Sequence, residues 1–321
     1  MSASTLEEEY RALRGGAGAL FLPSDVLAVR GPDAMEYLQG QCSQDVASLV
    51  DGAAVDALVL SPQGKIDALV RVFRRSAQEF VLDVDGGFGE TLQARLERFR
   101  LRVKVEIEPL TWRCIALRGP DASRVLDAAG PRAEDELAVP VAWGGVVGVD
   151  LLGPEPSVPT QALPCSAAAW EAVRIEAGIP SMGADIDERT IPAEAGLVER
   201  CVSFTKGCYT GQELVARLDA RGSNVARRLV GLVVGGPDEP PDPATIVGMT
   251  LRTDGAPSGV VTSAAWSPGL GAVIGLGYLH RRVPAGAGVE VAARVDAVGA
   301  TGDGDAAGHH LVAQVRELPL R

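Results

Sequence analysis

The chain has 321 residues, 46% hydrophobic and 22% charged. It is about twice the ~150 residues of a usual domain, so it can bury more than one core and is excluded from the disordered and the small disulfide-stapled classes. Thirty basic against 42 acidic residues give a formal charge of −12, which excludes a broad electrostatic grip on nucleic acid or anionic lipid and leaves only a local basic patch for a polyanion.

In chain order, the start Met1-Ser-Ala-Ser-Thr-Leu-Glu-Glu-Glu is acidic where a signal peptide is basic and apolar. No apolar run reaches the ~18 residues of a membrane span. The five cysteines, at 42, 114, 165, 201 and 208, are odd in number and contain no CxxC pair. That pattern suits neither a disulfide framework nor a self-contained metal or iron–sulfur site, so the expectation is a cytoplasmic protein with free thiols, no metal and no membrane partner.

Val26-Leu-Ala-Val-Arg-Gly-Pro-Asp-Ala-Met-Glu-Tyr-Leu38 recurs as Cys114-Ile-Ala-Leu-Arg-Gly-Pro-Asp-Ala-Ser-Arg-Val-Leu126. Each copy reads as a strand, a Gly-Pro turn, a capping Asp and a helix. True duplication and repeated use of a common unit both explain it, and either places the two copies in one domain. Between them, strands are expected over 57–60, 68–73, 80–84 and 103–107 and an amphipathic helix over 90–100, an inserted α+β unit. A strand over 146–152, a Pro-rich loop and a helix over 166–177 ended by Gly178 and Pro180 follow, with Trp170, Val173 and Ala177 as its core-facing stripe.

From about Leu229, short Val-rich runs broken by Gly and Pro (229–234, 259–266, 272–279, 289–293 and 311–315) suggest a small β-barrel or sandwich. The acidic stretch 235–243 reads as a linker or as a loop of that domain. Gly269-Leu-Gly-Ala-Val-Ile-Gly275 has the wrong spacing for a nucleotide loop and is better explained by barrel turns. Ser61-Pro-Gln-Gly-Lys65 lacks the ends of a P-loop. The histidines are 280, 309 and 310; the last two, near Asp303 and Asp305, read as terminal surface, and a histidine-based triad is not expected.

Chemistry concentrates in Ser203-Phe-Thr-Lys-Gly-Cys-Tyr-Thr-Gly-Gln-Glu-Leu-Val-Ala-Arg-Leu218. Thr210 and Glu213 have capping-box spacing. Cys208, near Lys206 and before a helix start, suits a stabilised thiolate acting as nucleophile or soft ligand, against the alternative of a buried thiol in a tight turn. Arg217, Arg221, Arg227 and Arg228 form either a carboxylate-binding group or a solvated face. Glu176, an acid in the last turn of its helix, opposes the macrodipole; it could hold the N–H donors of a heterocycle or pair with Arg174.

Lys206-Gly-Cys-Tyr-Thr-Gly-Gln-Glu213 resembles the signature of the YgfZ-type folate-binding proteins, relatives of the glycine-cleavage T-protein (aminomethyltransferase). The resemblance extends in order through Arg30-Gly-Pro-Asp-Ala34, Leu38-Gln-Gly-Gln41, Asp45-Val46, Pro62-Gln-Gly-Lys65, Arg174-Ile-Glu-Ala-Gly-Ile-Pro180, Arg221-Gly and Arg228-Leu-Val-Gly231. It implies an α+β fold, a three-lobed ring with a discontinuous folate-binding domain (1–50 and 111–228), an inserted ferredoxin-like domain (51–110) and a C-terminal β-barrel (229–321).

The resemblance further implies a tetrahydrofolate-binding accessory protein of one-carbon metabolism that supports iron–sulfur cluster assembly or repair. Its expected partners are iron–sulfur enzymes or cluster-assembly proteins, with no direct nucleic acid. Cys208 and Lys206 would carry the chemistry. Glu176 would accept hydrogen bonds from the pterin, Arg174, Tyr209 and Gln212 would join it, and Arg217, Arg221 and Arg228 would hold the glutamate tail. In the T-protein, the strand after Gly-Gly carries a carboxylate pair whose first member is catalytic. Here that position reads as Ala68, with Asp67 on the opposite face of the strand, so ordinary aminomethyl transfer is doubtful and a folate-dependent one-carbon transferase is the alternative.

Overall fold

The computed structural model describes residues 5–222, 224–235, 240–292 and 311–320. From the start run α1 (Leu6–Gly15), β1 (Gly18–Leu22), β2 (Ser24–Arg30), α2 (Ala34–Gln41), β3 (Ala54–Leu60), β4 (Ile66–Ser76), β5 (Glu79–Asp85), α3 (Gly89–Phe99) and β6 (Glu106–Leu110). Then come β7 (Arg113–Arg118), α4 (Ala122–Ala128), β8 (Leu137–Trp143), β9 (Val146–Gly153), β10 (Leu163–Pro164), α5 (Ala167–Ala177), α6 (Val198–Cys201) and α7 (Gln212–Asp219). The last part holds β11 (Arg227–Gly235), α8 (Pro243–Ile246), β12 (Thr250–Thr253), β13 (Ala256–Ser267), β14 (Ala272–His280), β15 (Gly288–Ala292) and β16 (Leu311–Arg316).

The strands form three lobes: a sheet of order β3-β4-β5-β2-β6, a sheet of order β10-β1-β7-β9-β8, and a closed barrel β11-β14-β13-β12-β15-β16. Alternation along the strands builds the cores. Val29, Val59, Ala68 and Val70 of the first sheet pack under Leu38 of α2 and Leu96 of α3. Ile115 and Leu117 of the second pack under Val125 of α4, while Ala116 faces Leu13 of α1 and Val173 of α5. The two sheets meet through Val26, Phe73 and Val81 against Cys114, Val139 and Leu152.

The sequence repeat folds as expected locally, as β2–turn–α2 and β7–turn–α4, but the copies do not share a sheet. β2 pairs with β5 and β6, whereas β7 pairs with β1 and β9. β7 reaches back to β1 at the start of the chain while β2 pairs forward with β5 and β6, so the two copies supply interior strands of two different lobes. Because β2 pairs with β5 and β6, the first sheet starts at Ser24, ahead of the expected boundary at residue 51.

Neither Asp33 nor Asp121 caps its helix; Asp33 Oδ2 instead accepts from the Lys104 N–H at 2.7 Å. The repeated glycines are fixed by geometry. Gly31 and Gly119 have φ of 134° and 108°, and a Cβ would lie 2.2 Å from the Lys104 carbonyl oxygen and 2.3 Å from that of Gly16. Gly119→Ala is therefore expected to cost at least about 2 kcal/mol, seen as a lower urea midpoint at unchanged m-value.

Helix α5 ends as expected, closed by Gly178 at φ 68°, and at its start the Ser166 hydroxyl accepts from the Ala169 N–H. Its surface is divided among three neighbours. Val173 and Ala177 pack on the second sheet, Ala172 and Ile175 on barrel residues Ile274 and Leu276. Trp170, Glu171 and Arg174, three and four apart, face a cleft. Trp170 thus stands at the edge of the expected core stripe.

Among the described residues, no helix is long and apolar enough to cross a membrane. His309, His310 and residues 236–239 of the expected linker lie outside the described residues.

Candidate functional site: a charged aromatic cleft

The cleft of about 470 Å³ lies where the two sheets and α5 meet. Arg71 on β4 stands opposite Asp83 on β5. Its Nε and Nη2 donate to Asp83 Oδ1 at 3.0 Å and Oδ2 at 2.9 Å. Its Nη1 crosses to the second sheet and donates to Asp150 Oδ2 at 2.7 Å, and Asp150 Oδ1 accepts from Arg118 Nη1 at 2.6 Å. A chain of four charges, none with a side chain more than 15% exposed, therefore ties one sheet to the other.

Burial pushes the Asp150 carboxyl up, but Arg118 and Arg71 outweigh it and hold the group below the ordinary carboxylate range. For Asp83, burial prevails over the attraction of Arg71 and the carboxyl is raised. The opposing directions follow from partners: Asp150 has two guanidinium groups and Asp83 has one. Burial also raises the neighbouring Cys114 thiol, helped by Asp150 and Asp83.

Aromatic surface completes the walls. The Arg200 guanidinium lies 4.3 Å from the Trp143 ring centre and that of Arg118 lies 5.1 Å from Trp170. Arg200 is steadied by Asp56 Oδ2 at 2.7 Å and the Ala142 carbonyl at 2.8 Å. Phe21, also in the wall, is 57% exposed. Asp85 accepts from the Met182 N–H at 2.8 Å and the Ser181 hydroxyl at 3.1 Å. Arg118 Nε is buried without a hydrogen-bond partner among the described residues.

Of the expected site residues, only Arg174 lines this cleft. Its five donors are engaged by Glu171 on Nε and Nη2, Ile179 O and Asp185 on Nη1, and Ser263 on Nη2. It holds the wall and joins it to the barrel. Glu176 is two residues on, hence on another side of α5, and 2% exposed. Its carboxylate accepts from the Tyr10 hydroxyl at 2.8 Å and the Ser267 hydroxyl, and pairs with Arg14 at 3.1 Å. The expected Arg174 partner is corrected: the charge opposing the helix dipole is met by α1 and the barrel, and Glu176 does not line this cleft.

The signature motif packs elsewhere, on the C-terminal end of α2 and the β3–β4 turn. Lys206 Nζ donates to the carbonyls of Gln39 (2.6 Å), Cys42 (2.6 Å) and Gln44 (3.0 Å). It caps carbonyls that the helix leaves open, and all three of its donors are engaged. Burial lowers its pKa. These contacts are those of a brace at the end of α2.

Tyr209 is buried in the core beside Leu60 and Val215, its hydroxyl pushed up to about 12 by burial. Gln212 Oε1 accepts from the Tyr209 N–H at 3.2 Å. The expected Thr210–Glu213 capping box does not form. The N-cap is Gly211 at φ 82° with no side-chain cap, because a Cβ there would meet the Ser61 carbonyl at 2.4 Å. Cys208 is exposed, not buried in a turn. Arg217 and Arg221 are exposed, while Arg228 donates to the Arg281 and Val283 carbonyls of the barrel. The arginines therefore do not converge on one carboxylate site.

Position 68 also reads differently. β4 carries an irregularity that pairs Leu60 with Ile66 and Val59 with Ala68, leaving Asp67 as an extra residue. Ala68 packs into the apolar core, and Asp67 pairs with Arg95 at 3.0 Å. Neither lines the cleft, so strict alternation was the wrong guide there.

The cleft charges were missed although a signal existed. Arg71, Asp83 and Asp150 each interrupt an expected apolar strand, and a charge there needs a buried partner.

A family model described as the GCVT N-terminal domain matches residues 2–144, and one described as the glycine cleavage T-protein C-terminal barrel domain matches residues 227–302. An aminomethyltransferase of Rubrobacter xylanophilus is 32% identical over 303 residues, covering 85% of this chain and 79% of that protein. A tRNA-modifying protein YgfZ of Klebsiella pneumoniae is 33% identical over 228 residues, covering 61% and 65%. The crystal structure of the glycine cleavage system aminomethyltransferase T of Bartonella henselae superposes with a TM-score of 0.82 at 23% identity, covering 98% of this chain and 89% of that one.

Proposed function

Because the chain belongs to the glycine-cleavage T-protein superfamily as a YgfZ-type member, we propose that it binds tetrahydrofolate in the cleft and supports iron–sulfur proteins through the exposed Cys208 thiol. The observation that carries the folate reading is a cleft of about 470 Å³ with Trp143, Trp170 and Phe21 in its walls and buried carboxylates between them, within the size range of small-molecule sites. The residues fit the group. Aromatic surface suits a flat heterocycle, and Asp85 supplies acceptor oxygens for ring N–H groups. When bound, the folate would supply a carrier for a one-carbon unit. The chain's own part is to hold and shield it.

The test is calorimetric titration with reduced tetrahydrofolate. Trp170→Ala is expected to weaken binding at least about tenfold through lost aromatic contact. Glu176→Gln, away from the cleft, should leave affinity within about twofold if the variant stays folded. No heat of binding from the folded wild type would remove folate from the reading.

Cys208 lies outside the cleft lining, so ligand holding and thiol chemistry are separable. Cys208→Ala is expected to keep stability within about 0.5 kcal/mol and folate affinity unchanged, yet fail to restore iron–sulfur enzyme activity in a deletion strain. Full rescue would end the thiol role. The net charge of −12 favours action through a small ligand and a thiol over direct contact with RNA.

A one-carbon transferase is the second reading, favoured by the match to an aminomethyltransferase over 85% of the chain. Neither Asp67 nor Ala68 offers a carboxylate to the cleft, which argues against ordinary aminomethyl transfer. Turnover of an aminomethyl donor with saturating folate would restore it.

A further inference from the structure

Basic residues gather at the rim of the barrel, where β11 begins and β14 ends. Arg227 and Arg228 open β11, and Arg227 stands opposite His280, the last residue of β14. The turn that follows β14 carries Arg281 and Arg282. It is tied back to the start of β11, because the Arg281 N–H donates to the Ala226 carbonyl at 3.0 Å. Arg228 Nη1 and Nη2 donate to the Arg281 and Val283 carbonyls at 3.3 Å and 3.1 Å, which lays its guanidinium along the turn. The Arg282 N–H donates to His280 Nδ1 at 3.2 Å, so the turn is held from both sides.

The charge of this turn is left over. Arg227 is paired with Glu194. Arg228 makes no ion pair among the described residues, and the side chains of Arg281 and Arg282 are exposed and make no hydrogen bond or ion pair there. Neither 224–228 nor 280–288 contains an acidic residue. Glu317, exposed just past the end of β16, pairs with none of the three. In a chain with 42 acidic against 30 basic residues, acidic partners are in excess, and Arg71, Arg95, Arg174 and Arg200 each hold one. The barrel rim does not.

We propose that this rim is a docking surface for a short acidic segment of a partner protein, its carboxylates taken by Arg228, Arg281 and Arg282. Planar guanidinium groups match carboxylates in geometry. The exposed turn suits an extended segment, since a small ligand needs enclosure. The net charge of −12 repels a long polyanion across most of the surface. Screening confines that repulsion to about 8 Å at physiological ionic strength, so a segment a few residues long meets the arginines and little else. No residue of the turn lines the cleft, which makes this surface independent of folate binding.

The probe is a fluorescein-labelled hexaglutamate peptide, titrated with the full chain and followed by fluorescence anisotropy. Saturable binding with Kd of order 100 µM or tighter is expected at low ionic strength, weakening as salt is added. The double substitution Arg281→Gln, Arg282→Gln should weaken the peptide about tenfold, and Arg281→Glu with Arg282→Glu should abolish binding. Tm should be unchanged in the first, because neither side chain has a partner to lose. Arg217→Gln, a charge removed from α7 instead, should leave affinity within about twofold, which separates a local surface from net charge. No saturation up to about 1 mM protein would overturn the proposal, as would equal weakening by Arg217→Gln and the double substitution. Tighter binding of a single-stranded RNA oligomer or of phosphatidylserine vesicles, lost in the same double variant, would also overturn it by assigning the arginines to phosphate.

Discussion

Replacing Arg71 by methionine is expected to lower the unfolding free energy by about 3–5 kcal/mol, because it removes the shared partner of two buried carboxylates. Asp83 loses both of its hydrogen bonds from Arg71, and Asp150 keeps only Arg118. Since those bonds join the two sheets, the cleft floor should loosen as well, and folate affinity should fall with stability.

The sign of the pH dependence follows. In the wild type, Asp150 has a depressed folded pKa, so its contribution is present above its unfolded value of about 3.9 and is lost as pH falls through the folded value. In the variant, the stranded carboxyls are raised and their penalty applies when they are ionised, so it fades on acidification. The stability gap is therefore widest near neutral pH and narrows toward acid. Urea unfolding at several pH values measures it, and a gap below about 1 kcal/mol at pH 7 would show that water replaces Arg71 at little cost.

Lys206→Met is expected to cost about 2–4 kcal/mol, through three charge-assisted hydrogen bonds to carbonyls in the last turn of α2 and just beyond it. Tetrahydrofolate affinity measured on the folded fraction should be unchanged, since Lys206 lies outside the cleft lining. A variant as stable as the wild type but inactive in the iron–sulfur rescue assay would reverse this and return Lys206 to the chemistry. Arginine at 206 is expected to restore little, because a planar fork cannot point three donors at carbonyls arranged around a helix end.

Legibility in the sequence depended on whether a signal was local. Helix α5, with Gly178 as stop, was readable because its apolar spacing and its stop are carried by adjacent residues. The Val-rich, Gly-broken runs after Leu229 were readable as barrel strands, although which strand closes on which was not. The capping box at Thr210 and Glu213 failed for the opposite reason: the helix starts at Gly211, where the Ser61 carbonyl, about 150 residues earlier in the chain, leaves no room for a Cβ.

Charge pairing shows the same division. Nothing beside Glu176 in the chain indicates that Tyr10, Arg14 and Ser267 would surround it, and nothing beside Arg71 indicates Asp150. The interrupted strand patterns told that Arg71, Asp83 and Asp150 need partners, without telling which.

The sequence by itself determined the family signature, through that resemblance the three-lobed α+β fold, and many of the strands and helices, though not α1, β1, β8 or β12, since periodicity, turns and ordered motifs are carried by neighbouring residues. Only the tertiary structure decided that the repeat copies sit in two sheets, that the signature motif lies outside the cleft and braces α2, and that the cleft is walled by Trp143, Trp170 and the Arg71 network. Those outcomes depend on which distant strands and helices come into contact, and burial then sets which charges must be paired and which side chains remain free to meet a ligand.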